Sequence, residues 1–448
     1  MIAAFLCVAA FAFVYFSSRR SLGDGLAALI SIGYLYGITR ANITGVYSHI
    51  IFDVAVLALY AAWLLRPFSS SERQAVHDIR LWVIALVGWP ALVFLFWRHQ
   101  ELAIELVGLR ANVFFLPFLL IGARLSSGDM RRLALALAVL DIGAVAFGTV
   151  QYFVGIEPFF PRNDVTELVY RSKDLVGRTE YRIPSSFTNA HAFGGTLVMT
   201  LPFIAGAWLQ RRRGSVWISY LWPVAIAAVL LGVFMSAART HTIPVVVLAL
   251  AITFSGRLTS LRSLRWVAVS CIVGWTVVLE ERLQRFTTLG EADFLTERLW
   301  GSINAEAISL MGQYPMGNGL AGGGTNIPYF LQDRAAPPVG LENEYVRITM
   351  EQGLPGLFLW ALFVLWVVSR GPGRGGYEWA RGRRLAWICG SIYLCLGLTG
   401  TGMLTGIPQT VLLLLAIGWV GRSEPITGFD TEEGEEEGEE VGVEPRDA

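Results

Sequence analysis

Apolar residues run through this chain in blocks long enough to cross a lipid bilayer, separated by short polar turns, and the blocks repeat almost from end to end. A bilayer core of about 30 Å takes about 20 helical residues, fewer where neighbouring helices or snorkelling side chains help. The pattern predicts spans over Met1–Phe16, Leu22–Ile38, Val46–Leu65, Leu81–Trp97, Leu102–Ile121, Leu133–Val154, Phe193–Leu209, Val216–Phe234, Ile243–Phe254, Leu264–Leu279, Leu354–Val368, Leu385–Leu398 and Ile407–Val420. The expected fold is all-α, a polytopic transmembrane helix bundle of about 12–13 spans forming one membrane domain over residues 1–421. In the first block the positive charges, Arg19 and Arg20, follow the apolar run instead of preceding it, so it reads as a span and not as a cleaved signal peptide.

The polar positions orient the bundle. Arginines recur in every second loop: Arg19 and Arg20, then Arg66, Arg73 and Arg80, then Arg124, Arg131 and Arg132, then Arg211 to Arg213, then Arg257, Arg262 and Arg265, then Arg370 to Arg384. Excess positive charge marks cytoplasmic loops. That rule puts the N-terminus outside, the C-terminus inside, and two long connections outside, Gly155–Ala192 and Glu280–Gly353. Long connections without spans carry function or are disordered. The second holds Phe294, Leu299, Trp300, Ile308, Tyr314, Tyr329 and Tyr345 among glycines and prolines, a mixture suited to packing over the mouth of a bundle. The end of the chain, 422–448, is acidic from Asp430 to Asp447 and too poor in apolar residues to fold, so it is expected to be a disordered cytoplasmic tail without chemistry.

Composition narrows the function classes. With 54% hydrophobic and 16% charged residues the chain is too apolar for a soluble protein of its size. Its zero formal net charge comes from the acidic tail set against scattered arginines and points to no nucleic acid partner. Lys173 is the only lysine, so the positive charge is guanidinium, which grips phosphate or carboxylate bidentately, unless the bias merely follows an arginine-favouring genome. Cys7, Cys271, Cys389 and Cys395 sit in apolar runs without metal-ligand spacing. Walker, HExxH and GxSxG motifs are absent from the sequence, and no cofactor or metal is expected.

Four local patterns on the expected outer side carry candidate chemistry. Arg182-Ile-Pro-Ser-Ser-Phe-Thr-Asn189-Ala-His191 sets an arginine, an asparagine and a histidine at a helix mouth, where Ser186, Thr188 or Asn189 would equally serve as a cap. Ser236-Ala-Ala-Arg239-Thr-His places a charge at a helix end, where it either enters a cavity or snorkels. Arg110, inside the fifth span, raises the same question and has a structural reading as partner of Glu105 or of another helix. Glu297-Arg298-Leu-Trp300 leads to Tyr314-Pro-Met-Gly317-Asn-Gly319, whose glycines would expose backbone donors to a phosphate or a sugar hydroxyl. Glu342-Asn343-Glu-Tyr-Val-Arg-Ile-Thr-Met-Glu-Gln-Gly-Leu-Pro-Gly closes the second long loop, with Glu342 expected in a first helical turn that favours acidic residues.

Taken in order, the four patterns resemble the O-antigen ligase and lipid-linked glycan polymerase superfamily over roughly Arg110 to Gly356. They run from an arginine ahead of Phe187-Thr188-Asn189 to Ser236-x-x-Arg239, to Arg298 just before Trp300, and to Gly317-x-Gly319. The last is a pair ending in Asn343, followed by Glu351-x-Gly353-x-x-Gly356. The resemblance implies a glycosyltransferase of the bacterial inner membrane. It would act on the periplasmic face without nucleotide sugar or obligatory metal, and move glycan from a polyprenyl (undecaprenyl) diphosphate-linked donor to a saccharide acceptor in surface polysaccharide synthesis. It further implies that Arg239 and Arg182 stabilise the diphosphate leaving group, and that Arg298, Arg110, His191, Asn189, Asn343, Gly317 and Gly319 bind substrate. A chain-length regulator is left open as a partner beside the lipid bilayer. Ligases of the family carry a histidine immediately before the asparagine where this chain has Glu342. That departure favours polymerisation of repeat units over ligation to lipid A-core, with Glu342 as the candidate base. Two readings from other classes compete: a lipid-linked saccharide transporter or flippase, which predicts a two-half repeat that the sequence lacks, and a scaffold whose outer charges form structural ion pairs.

Overall fold

The computed structural model describes residues 1–171, 181–210, 216–255, 307–324, 327–334, 343–372, 379–400 and 402–423. The expected span Leu264–Leu279, the residues Arg298 and Glu342, and the acidic tail beyond Ser423 lie outside them.

Within those residues the protein is all-helical. The helices are α1 (Ile2–Arg20), α2 (Leu22–Asn42), α3 (Val46–Leu64), α4 (Ser70–Ala75), α5 (His77–Phe96), α6 (Leu102–Val113), α7 (Phe118–Ala123) and α8 (Ser127–Val154). They continue as α9 (Glu167–Arg171), α10 (Ala190–Gln210), α11 (Val216–Met235), α12 (Arg239–Ser255), α13 (Ala307–Gln313), α14 (Glu344–Ser369), α15 (Ala380–Leu396) and α16 (Gln409–Gly421). Each expected span outside 256–306 coincides with a helix, α6 and α7 together making one crossing. Among the described residues eight spans are long and apolar enough to cross a membrane, and shorter apolar stretches lie in α11, α12 and α16. The protein is a multi-pass helical membrane protein.

Boundaries moved where capping and ion pairs outweigh hydropathy. α8 begins at Ser127, ahead of the expected Leu133, because the Ser126 hydroxyl accepts from the Asp129 amide. α14 begins at Glu344, ten residues ahead of the expected Leu354, and runs through a kink at Gly353. Asn343 is its N-cap, taking the amides of Tyr345 and Val346 at 2.8 and 3.2 Å. The first helical turn holds Glu344, because a capping asparagine sets the start one residue after itself; Glu342, expected in that turn, lies outside the described residues.

Helix burial sorts the bundle into centre and rim. In α10 89% of the hydrophobic window is buried, against 17% in α1, so α10 is central and α1 faces lipid. α10 packs against α8, α11, α12, α15 and α16. Its neighbour α16 is buried along its whole length and lies against α7. That contact is a backbone approach. A Cβ on Gly122 would sit 2.2 Å from the Leu415 carbonyl oxygen, and one on Gly418 would sit 2.1 Å from that of Leu119. Small residues let helices pack this closely in lipid, where no hydrophobic force drives them together.

One polar pin crosses the middle of the bundle. Asp141 of α8 is fully buried and accepts from the Tyr34 hydroxyl of α2 at 2.5 Å and the Thr200 hydroxyl of α10 at 2.7 Å. Contacts between helix ends divide the molecule into two faces. At one, the Gly23 amide meets Asp129, the Ser423 amide meets the Ala75 carbonyl, and Arg370 pairs with Asp78. At the other, Asn42 bonds to the Phe159 carbonyl and the Ile38 amide to that of Ser186. There the first long connection forms a small packed cap in which Ile156, Phe160, Val169 and Ile183 are buried against Ala41.

Two predictions follow from these contacts. Gly122→Ala is expected to lower stability by about 1–3 kcal/mol by forcing α7 from α16, read as a fall in the thermal unfolding midpoint in detergent. Asp141→Ala strands the Tyr34 hydroxyl, since Thr200 keeps its bond to the Leu197 carbonyl at 2.7 Å. The expected loss is about 1–3 kcal/mol, with Asp141→Asn restoring most of it.

Candidate functional site

The first pattern is held by its own backbone. Gln151 of α8 donates to the Ser185 carbonyl at 2.9 Å, and the Ser185 hydroxyl donates to the Ala144 carbonyl at 2.7 Å. Ser185 itself takes a positive φ of 51°, a strained turn that α8 pins in place. Asn189 accepts from the Ala192 amide at 2.8 Å and so caps α10, the structural alternative for that residue. With the turn fixed, Arg182 and His191 meet at the helix mouth: Arg182 Nη1 lies 2.9 Å from His191 Nε2. A guanidinium only donates, so this contact uses His191 Nε2 as the acceptor.

The second pattern joins from the side. His241 Nε2 donates to the His191 carbonyl at 3.0 Å, and the two rings stand edge to face at 6.0 Å. Ser236 packs directly on α10, where a Cβ on Gly194 would fall 2.5 Å from its hydroxyl oxygen. Arg239 is the first residue of α12, two positions before His241, so its backbone belongs to the same mouth; its side chain lies outside the described residues. The His241 ring stacks on Tyr393 of α15 at 5.9 Å, with the phenol oxygen 3.4 Å from Nδ1.

The fourth pattern reaches the same turn of α15. Tyr345 donates its hydroxyl to the Leu394 carbonyl at 2.6 Å, and the Glu344 amide donates to that of Gly397 at 2.9 Å. Behind Asn343 lies a buried ionic network. Arg347, 1% exposed, gives 2.7 Å to Glu344 and 2.8 Å to Glu351. Asn112 of α6 donates to Glu351 at 2.6 Å and accepts from Gln352 at 2.8 Å, while the Gly402 amide donates to Glu344 at 2.6 Å.

The described part of the third pattern is docked rather than open. The Asn318 amide donates to the Met350 carbonyl at 2.6 Å and the Leu354 amide to that of Pro315 at 2.8 Å, which seats the loop on the α14 kink. Glu105, fully buried at the start of α6, takes the Leu320 amide at 3.0 Å and those of His99 and Gln100 at 3.1 and 3.2 Å. Gly317 and Gly319 have φ of 86° and 81°, and a Cβ on Gly319 would lie 2.4 Å from a Glu105 oxygen. The amides of Gly317, Asn318, Leu320, Gly322 and Gly324 are engaged within the protein, so these donors are not on offer to a phosphate. Arg110 pairs bidentately with Asp53 of α3, its Nε 3.0 Å from Oδ2, and lies over the Phe115 ring. Of the readings open for Arg110, the partner on another helix is the one realised, and Glu105 is not that partner.

Three of the four patterns thus converge at one end of the bundle around the last turn of α15, and neither Tyr393 nor that turn was marked in the sequence. Glu344-x-x-Arg347-x-x-x-Glu351 had the i,i+3 and i,i+4 spacing of helical ion pairs, a signal that could have revealed the buried network. Nothing in the sequence pairs Asp53 with Arg110. No family model matches the chain, and no curated protein matches it. What fold and site define together is a class, a multi-pass helical membrane protein with an arginine- and histidine-bearing mouth.

Arg347→Ala leaves two buried carboxylates without their counter-charge. It is expected to destabilise the protein by about 3–5 kcal/mol, read as loss of the monodisperse peak in detergent chromatography, whereas Arg334→Ala, on the half-exposed pair with Glu101, leaves it intact.

Proposed function

We propose that this protein is a membrane glycosyltransferase that polymerises glycan from a polyprenyl diphosphate-linked donor in bacterial surface polysaccharide synthesis. The observation that carries the reading is the meeting of Arg182, His191 and the start of α12 at one mouth, beside the Asn343 end of α14 and opposite the arginine-bearing loops. By the positive-inside rule the mouth then faces the periplasm, where lipid-linked saccharides are presented. The acceptor oxygen attacks the anomeric carbon, the bond from that carbon to the diphosphate breaks, and the leaving lipid diphosphate keeps the electron pair. Negative charge grows on that diphosphate, and Arg182 and Arg239 stabilise it in a partly dehydrated mouth. The acceptor hydroxyl loses its proton to a base, for which Glu342 is the candidate. Transfer of a finished glycan to lipid A-core or another acceptor is the second reading, and the glutamate in place of the histidine weighs against it.

The test uses the purified full chain in lipid with a polyprenyl diphosphate-linked oligosaccharide and a chelator, with product length as readout. The wild type is expected to build a ladder of longer lipid-linked chains. Arg239→Ala and Arg182→Ala are each expected to lose about a hundredfold or more in rate, and Glu342→Gln is judged by its residual rate. A wild type that forms no glycosidic bond with any acceptor but moves the lipid across a vesicle membrane makes the protein a transporter.

A further inference from the structure

The opposite end of the bundle carries buried guanidinium donors that the described residues leave without a hydrogen-bond partner. Four arginines lie there at separate helix ends. Arg383, near the start of α15, donates to the Val420 carbonyl at 3.0 Å, two residues before Arg422. Arg422, just after α16, points its Nη1 at the Leu125 carbonyl at 3.5 Å, next in sequence to Arg124. Arg124 lies with its guanidinium carbon 3.9 Å from the Phe68 ring centre and 5.0 Å from that of Trp63. Arg370 follows α14 and its charge acts on Arg383, as that of Arg383 acts on Arg422.

Two acids stand nearby, and the charge of one of them, Glu72, acts on Arg124. Asp78 holds Arg370, and Glu72 closes a capping box on Ser69. Nε of Arg124, Arg383 and Arg422 and Nη1 of Arg124 are buried and lack a hydrogen-bond partner among the described residues. Burial, then the nearby Arg383, pushes the Arg422 guanidinium down to about 10, and burial pulls Arg124 down against the opposing charge of Glu72. Unpaired buried donors on like charges are costly, and an oxyanion relieves both penalties at once.

We propose that this end of the bundle binds the phosphate of an anionic phospholipid headgroup between Arg124, Arg383 and Arg422. The chemistry fits on three counts. A phosphodiester offers two non-bridging oxygens to guanidinium forks. The cluster stands where the spans end, beside the exposed Leu64 and Leu65, at the depth of the headgroup layer. Basic pockets between helix ends are a recurrent form of headgroup site. The proposal is independent of the reading of the opposite mouth.

The probe is phosphatidylglycerol against phosphatidylcholine, added to the full chain in neutral detergent, with bound lipid counted by native mass spectrometry and stability followed by thermal unfolding. Wild type is expected to retain phosphatidylglycerol preferentially and to unfold at a higher temperature with it. Arg124→Gln/Arg422→Gln is expected to bind it about thirtyfold more weakly, while Arg66→Gln/Arg80→Gln, which removes the same charge from exposed positions at the same end, keeps the preference. Should the double variant fail to unfold cooperatively, Arg124→Gln and Arg422→Gln are measured singly, each expected to weaken binding about fivefold. Equal losses in cluster and control variants, or no preference in the wild type, overturn the proposal. Inorganic phosphate that stabilises as well as the lipid also overturns it in favour of a free anion. A preference seen only after Glu432, Glu433, Glu435, Glu436 and Glu437 are changed to Gln overturns it in favour of the acidic tail as the natural occupant.

Discussion

A guanidinium buried between two carboxylates on one helix turn organises the mouth of this bundle. Arg347 holds Glu344 and Glu351, and each acid carries a further tie: Glu344 to the Gly402 amide, Glu351 to Asn112 of α6. In a bilayer no water rescues an unpaired polar group, so such a network fixes everything it touches. It lets α14 begin ten residues before its apolar stretch, brings the segment after α15 against the start of α14, and gives the glycine loop a surface to dock on.

The remainder of the bundle follows the same constraint by two routes. Where side chains are polar they are paired across helices, as Asp141 is with Tyr34 and Thr200, and Arg110 with Asp53. Where no polar tie exists, glycines bring backbones together, as Gly122 and Gly418 do between α7 and α16. Dispersion contact replaces the hydrophobic force that lipid cannot supply. The outcome is a centre around α10 and α16 rigid enough to carry a mouth built from several helix ends.

The two ends differ in chemistry. One presents Arg182 and His191 at its surface over the partnered His241 and Tyr393, a graded passage from exposed to buried polar groups. The other holds guanidiniums with buried donors that lack a hydrogen-bond partner among the described residues. A helix bundle in a membrane meets a different aqueous boundary at each end, and its loops carry that asymmetry in residue type.

The sequence alone determined the class, because the need to bury backbone polarity in helices about 20 residues long writes itself into hydropathy. It also grouped the arginine loops on one expected side, and it marked Arg182, His191 and the Ser236–Arg239 turn as candidates on the other. Tertiary structure decided which of these residues serve the fold. It made caps of Asn189 and Asn343, gave Arg110 to Asp53, and engaged the amides of Gly317, Asn318, Leu320, Gly322 and Gly324 within the protein. It also supplied Tyr393 and the end of α15 as the meeting point. Those outcomes depend on which helices are neighbours, and adjacency between residues hundreds of positions apart leaves no local signature in a single chain.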